Sequence, residues 1–325
     1  MANMLAGADV LVTGGTGFIG SHLTEKLLEY GANPIVVDNN SRGDPAYLAD
    51  SNGVDIIVGD LTNRSVAEEC AARAEFCFHL AAIVGDVDFM TGNPHRIYEN
   101  LIIDYNVFKA CRTQDVRKVL YTSSACVYPI DLQKKDYALL SEEDAYRNGA
   151  NPDGDYGWTK VVGEQMAVSF SENFELPIAI VRPFNPYGPR ESFDPDDSHV
   201  IPAFIRRAAD GVNPFVVWGS GEQVRTFTYV RDLVEGMVVA MSELDGGDVI
   251  NLSDTKSVRI SELAETVLDV TGHDVDIVFD ESKPEGVKIR KPSIDKADID
   301  MNWETRTSLS DGIRATYEWY VEKQS

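Results

Sequence analysis

The sequence predicts an α/β fold, a doubly wound parallel sheet followed by a smaller C-terminal α+β region. Three observations predict it. Short apolar runs recur at Val10–Val12, Pro34–Asp38, Val54–Val58, Phe76–Leu80, Lys118–Thr122 and Pro177–Val181. Helical stretches alternate with them: Leu23, Leu27 and Leu28 fall at helical spacing, and Ile97–Arg112 and Thr159–Phe174 read as helices. This is the βαβ rhythm of a parallel sheet. Finally, the first run passes through glycines 14, 15, 17 and 20 into the first helical stretch.

Taken in order, the elements place their motifs at strand ends, where ligands of such sheets bind. Glycines let the backbone turn tightly and approach a ligand, and the free N–H groups of the helix start face an anion. The first motif therefore suits a pyrophosphate. The second strand ends in Asp38, 18 residues after Gly20. An acid there suits the ribose hydroxyls of NAD and repels the extra phosphate of NADP. Asn39–Gly43 forms the loop beside it. Asp60-Leu61 closes the third strand; this Asp can bond the adenine amino group or cap the helix from Thr62. His79 reads as a packed strand residue, and Leu80-Ala81-Ala82 lets a cofactor lie against the backbone. The cofactor set expected is Gly14, Gly17, Phe18, Ile19, Gly20, Asp38, Asn39, Asp60, Leu61, Leu80, Ala81, Ala82, Asn100, Tyr156, Lys160 and Pro183. Beyond residue 184 the rhythm changes to shorter elements rich in Pro and Gly. This divides the chain into a dinucleotide-binding domain, 1–183, and a substrate domain, 184–325. One segment near 224–255, beginning with Val224–Met241, is expected to return to the first domain.

The chain has 325 residues and a net charge of −24, from 53 acidic and 29 basic residues. Nucleic acid and anionic membranes need a basic footprint, so neither is expected as a partner. Acidity with abundant Asp and scarce Lys fits a high-salt cytoplasm or an ordinary acidic enzyme. No run approaches the length of a membrane span, and the N-terminus lacks signal-peptide character, so a cytoplasmic protein is expected. Cysteines 70, 77, 111 and 126 have neither metal-ligand nor disulfide spacing. No metal site is expected.

Tyr156 and Lys160 stand four residues apart, on one side of a helix. An ammonium near a phenol favours the phenolate, and a bound nicotinamide cation favours it further. Ser123 and Ser124, at the end of the fifth strand, offer a hydroxyl to the substrate oxygen that Tyr156 deprotonates. Together with a dinucleotide site, this set suits hydride transfer at a secondary alcohol.

On these residues the chain resembles the extended short-chain dehydrogenase/reductases, whose nucleotide-binding half is a Rossmann fold. The matches run in order through Gly14-x-x-Gly17-x-x-Gly20, Asp38, Asp60-Leu61, His79–Ala82, Ser123-Ser124 and Tyr156-x-x-x-Lys160. They continue through Arg182-Pro183-x-Asn185-x-Tyr187-Gly188-Pro189, Gly219-x-Gly221, Arg225-x-Phe227-x-Tyr229-Val230-x-Asp232, Trp303 and Trp319-Tyr320. The resemblance implies an NAD-using homodimer acting on a nucleotide-diphosphate sugar. It also implies diphosphate contacts from Arg225 and Arg290, with Lys288 a weaker candidate, and a substrate contact from Asn185. Members that dehydrate hexoses carry an Asp-Glu pair where this chain has Ala125-Cys126, which disfavours 4,6-dehydration.

Ser123–Pro129 resembles the corresponding stretch of the GDP-mannose 3,5-epimerases, as do Leu80–Asn93, Tyr156-Gly157 and Pro284–Val287 leading to Arg290. That resemblance implies Cys126 as one acid/base group acting beside a C4 ketone. The second group in those enzymes is a lysine; here the aligned position is His199, which can also transfer protons near neutral pH. A 4-epimerase would need only Tyr156, Lys160 and Ser124. Decarboxylase, reductase and non-catalytic sensor readings rank lower, the last because a sensor has no use for the Tyr-Lys-Ser set.

Overall fold

The computed structural model describes residues 4–84, 94–134, 139–147, 149–195, 198–283 and 285–324. The expected resemblance through Leu80–Asn93 and Pro284–Val287 lies partly outside these. The nucleotide-binding half runs β1 (Asp9–Thr13), α1 (Phe18–Glu29), β2 (Asn33–Asp38), β3 (Asp55–Val58), α2 (Arg64–Ala71) and β4 (Phe76–His79). It continues with α3 (Glu99–Thr113), β5 (Lys118–Thr122), α4 (Gly154–Phe174) and β6 (Ile178–Pro183). With β11 (Val249–Leu252) these strands make a seven-stranded parallel sheet in the order β11-β6-β5-β4-β1-β2-β3. The predicted doubly wound sheet is therefore present, with one strand more than the six runs before residue 184.

Burial on both faces explains why the strands read as continuous apolar runs. Val10 and Val12 pack on one face with Leu23 and Leu27 of α1. Leu11 packs on the other, with Val107 and Phe108 of α3 and Phe170 of α4. Strand order reverses direction between β1 and β4, so the crevice for a ligand opens above their carboxyl ends.

The smaller region pairs β7 (Pro186–Tyr187) with β10 (Thr228–Tyr229) and β8 (Phe215–Trp218) with β13 (Ile277–Asp280). It also groups β9 (Val224–Thr226), β12 (Ser257–Arg259) and β14 (Ile289–Arg290) in one sheet. Helices α5 (Val200–Ala209), α7 (Ile260–Thr271) and α9 (Leu309–Gln324) close its core through Ile205, Val267 and Ile313, whereas Ala297 and Met301 of α8 (Asp295–Met301) join the core that includes α1. The chain returns to the large sheet through α6 (Val230–Glu243) and β11. Met237 and Met241 of α6 join the core of α1. The returning segment thus starts later than expected, because Val224–Thr226 is the central strand of the small sheet. Helix α4 starts earlier than expected, at Gly154, where a φ of +68° suits glycine. Lys160 consequently sits in the second turn.

Cys70, Cys77 and Cys111 are buried free thiols, and Cys126 is half-buried. Among the described residues no metal-holding cluster occurs, and no helix is long and apolar enough to cross a membrane.

One buried side chain ties stability to pH. His22 of α1 bonds the Pro189 carbonyl at 2.9 Å, and burial pushes its pKa down to about 4. Between pH 6.5 and 4 the unfolded chain binds a proton that the folded chain refuses, so stability falls as pH drops through that window. The loss from this residue is about 3 kcal/mol when complete. Urea unfolding of wild type and His22→Gln across this range should show a flatter curve for the variant.

Candidate active site

The cleft above the sheet encloses about 1410 Å³ and is lined by both halves of the chain. Its floor is the glycine turn. Gly14 has a φ of +69°, and a Cβ there would lie 3.0 Å from the Ala81 backbone. A Cβ on Gly20 would lie 2.1 Å from the Gly14 carbonyl oxygen. Gly17 caps α1 without a side-chain bond, which leaves the N–H groups of the first turn for a ligand. Gly20→Ala must therefore open the turn. It should destabilise the fold by about 2 kcal/mol and weaken NAD binding at least about 100-fold, as read by thermal melting and calorimetric titration.

Asp38 closes β2 half-buried at the cleft. Its carboxylate accepts from the backbone N–H groups of Thr16 at 3.1 Å and Asn40 at 2.9 Å. Phe18, Ile19, Asn39, Leu61, Leu80, Ala81, Ala82 and Pro183 all line the cleft. Asp60 lines it too and folds back on the Thr62 N–H and hydroxyl, both at 2.8 Å. The helix cap belongs to Asn63, which accepts from Ser65 N. Asn100 is absent from the cleft lining. It is buried, and its amide grips both backbone groups of Ile83, at 2.6 and 2.9 Å. These bonds hold the loop after β4. His79 is a buried strand residue between Thr13 and Asp104, as read. The glycine cradle, the uncapped helix start and the acid at the end of β2 fit NAD.

Tyr156, Lys160 and Glu164 share one stripe of α4. The Lys160 ammonium donates to the Thr122 carbonyl at 2.8 Å and lies 5.8 Å from the centre of the Tyr156 ring. Burial holds the Tyr156 phenol above its ordinary pKa, and Cys126 and Asp104 push it the same way. The chain alone thus opposes the phenolate, contrary to the expectation from Lys160. Positive charge bound in the cleft is needed to offset this, and a nicotinamide ring carries it.

The two serines differ. Ser123 donates to Glu164, whose carboxylate also takes Tyr146 and both prongs of the buried Arg182, at 2.8 and 2.7 Å. Its hydroxyl is committed to the wall of the site. Ser124 accepts from Cys126 N at 3.1 Å and keeps its own proton to donate.

Cys126 lies on a short turn, Ala125–Val127, capped by Ser124. Its sulfur is 4.0 Å from the Arg290 guanidinium. Arg290 and Arg225 are register partners on β14 and β9. Arg225 donates to the Val224, Val287 and Lys288 carbonyls, and burial with the neighbouring Arg290 lowers its pKa to about 10, which leaves it a cation. Asn185 donates to Thr226 O at 2.7 Å. His199, at the start of α5, pairs with Glu191 at 2.7 Å. Asn185, Arg225, Arg290, Cys126 and His199 all line the same cleft, whereas Lys288 does not. Sequence reasoning missed Glu191, Gln133, Asp153 and Glu164. Their partners are set by the fold; only Glu164 carried a signal, one turn beyond Lys160 on the same helical face.

The model of the NAD dependent epimerase/dehydratase family matches residues 10–253. The UDP-N-acetyl-alpha-D-glucosaminuronate decarboxylase of Bacillus cytotoxicus is 33% identical over 96% of this chain and 97% of its own. GDP-mannose 3,5-epimerase 1 of Oryza sativa subsp. indica is 30% identical over 97% of this chain and 82% of its own. The solved UDP-glucose 4-epimerase of Thermotoga maritima, with UDP-glucose, superposes with a TM-score of 0.88 at 27% identity. That match covers 98% of this chain and 100% of the other.

Proposed function

This chain belongs to the NAD-dependent epimerase/dehydratase family, and on that premise we propose that it inverts C3 and C5 of a nucleotide-diphosphate hexose through a transient C4 ketone, in the manner of GDP-mannose 3,5-epimerases. The observation that carries this reading is Cys126. It stands two residues after Ser124, beside a cation, in the cleft that also holds Tyr156 and the Glu191-backed His199. The similarity to GDP-mannose 3,5-epimerase 1 supports it.

NAD, which the glycine turn and Asp38 would hold, would supply the acceptor and later the donor of the hydride at C4 of the sugar. Tyr156 accepts the C4 hydroxyl proton while Ser124 donates to the same oxygen. Lys160 holds its charge near the phenol and orients the cofactor. The C4 ketone acidifies the protons on C3 and C5. Cys126 removes such a proton on one face, and His199 supplies one from the other. Arg225 and Asn185 hold the diphosphate end of the substrate, the guanidinium fork matching phosphate oxygens.

A plain 4-epimerase is the second reading, favoured by the fold similarity to the Thermotoga maritima enzyme. It would leave Cys126 and His199 without chemistry. The working unit proposed is a homodimer. Tyr98, beside α3, with Ile102 and Tyr105 on it, and Trp158 and Val162 of α4 expose an apolar strip that a second copy would cover.

The test is incubation with NAD and a panel of UDP-, GDP- and dTDP-hexoses at low and high salt, with product stereochemistry read by NMR. Inversion at C3 or C5 of a GDP-hexose supports the proposal. Inversion at C4 alone moves the chain to the second reading.

A further inference from the structure

Arg42 joins two loops that lie on opposite sides of the glycine turn. Its Nη1 donates to the Val84 carbonyl at 2.6 Å. Arg42 follows β2, and Val84 follows β4. In the sheet, β1 lies between those two strands. The bond therefore passes over the carboxyl end of β1, where the glycine turn begins. The loop bearing Arg42 is seated on that turn. Thr16 N and Oγ1 donate to Asp38 and Asn40, each at 3.1 Å, and Asp44 N donates to Thr16 O at 3.0 Å. A Cβ on Gly43 would lie 2.1 Å from Thr16 Oγ1 and 3.0 Å from Gly17 N, so the residue next to Arg42 abuts the start of α1.

Charge sets Arg42 apart. Among the described residues of 1–183 that line the cleft, the cations are Arg42 and Lys160, against Asp38, Asp44 and Asp60. Lys160 is committed to the Thr122 carbonyl at the Tyr156 end. Burial pushes the Glu191 carboxyl up, and the Arg42 charge is among those that pull it back. The guanidinium thus reaches electrostatically across the cleft to its far wall. From this geometry we propose that Arg42 closes over the pyrophosphate of the bound dinucleotide, its side chain forming a strap from the β2 loop to the β4 loop that slows cofactor release. The glycine turn and helix start hold the pyrophosphate from below. The guanidinium faces it from the open side, where a charged fork matches phosphate oxygens. A retained cofactor suits a reaction that takes a hydride from the sugar and gives it back, since reduced cofactor that left between the two steps would strand the ketone. That consequence rests on the function proposed above; the strap itself does not.

The test is a chase. The chain is loaded with radiolabelled NAD, excess unlabelled NAD is added, and retained label is counted over time. Arg42 is exposed, so Arg42→Gln should melt with the wild type. It should release NAD about tenfold faster, with association within about twofold of wild type. Competition by ADP and by adenosine for the same site separates charge from loop shape. ADP should weaken about tenfold in the variant, and adenosine should hold within about twofold. A wild-type release rate, or adenosine weakened as much as ADP, overturns the inference. Faster release with no epimer formed from any nucleotide sugar would keep the strap and discard the epimerase reading. Epimer formation with a wild-type release rate in Arg42→Gln would do the reverse.

Discussion

Tyr156→Phe lowers turnover about 1,000-fold and leaves NAD affinity within about threefold of wild type. The ring stays and only the hydroxyl goes, so the packing around α4 is conserved. What is lost is the atom that takes the C4 proton. Ser124 cannot replace it, since a hydroxyl that donates to the substrate oxygen is not a base at neutral pH. The wild-type rate should rise with pH through the ionisation of the phenol in the NAD complex, because the base works deprotonated. Burial raises that phenol in the chain alone, so its titration should move to lower pH when NAD is added. Ultraviolet difference titration of tyrosinate, with and without NAD and with Tyr156→Phe as the blank, measures that shift. An unchanged titration on adding NAD would remove the cofactor from the account of how Tyr156 ionises.

Cys126→Ala abolishes proton exchange at C3 and C5, by about 100-fold or more, while oxidation at C4 continues. The residue is half-buried at the cleft wall, so losing the sulfur costs the fold little. Reduced cofactor should therefore accumulate on adding substrate, visible as absorbance at the nicotinamide band, with no epimer at C3 or C5. A variant that still exchanges those protons at the wild-type rate would return Cys126 to a packing role.

The parts of this molecule that could be read from sequence are those written locally. Strands buried on both faces show as apolar runs, and the glycines that approach Gly14 O and the Ala81 backbone have no substitute, so the sheet and its cofactor cradle were legible. So was the Tyr156–Lys160 stripe, because helical spacing alone aligns it. Contacts made by the return of the chain were not. Cys126 and Arg290 lie 164 residues apart and meet only when β14 joins the small sheet. Glu191 gave no signal, since its link to His199 spans a loop rather than a helix face. Ser123 and Ser124 look alike in sequence; the buried Glu164 on α4 separates their roles. The bonds of Asn100 to the Ile83 backbone likewise join residues 17 apart and carried no local signal.

One label decides whether proton exchange occurs at the carbons flanking C4. A GDP-hexose carrying deuterium at C4 is converted in ordinary water, and an unlabelled one in deuterated water, each with the NAD-loaded enzyme. The C4 label should stay with the sugar while solvent deuterium enters C3 or C5. Product inverted at C4 with no solvent label at either neighbouring carbon would contradict it.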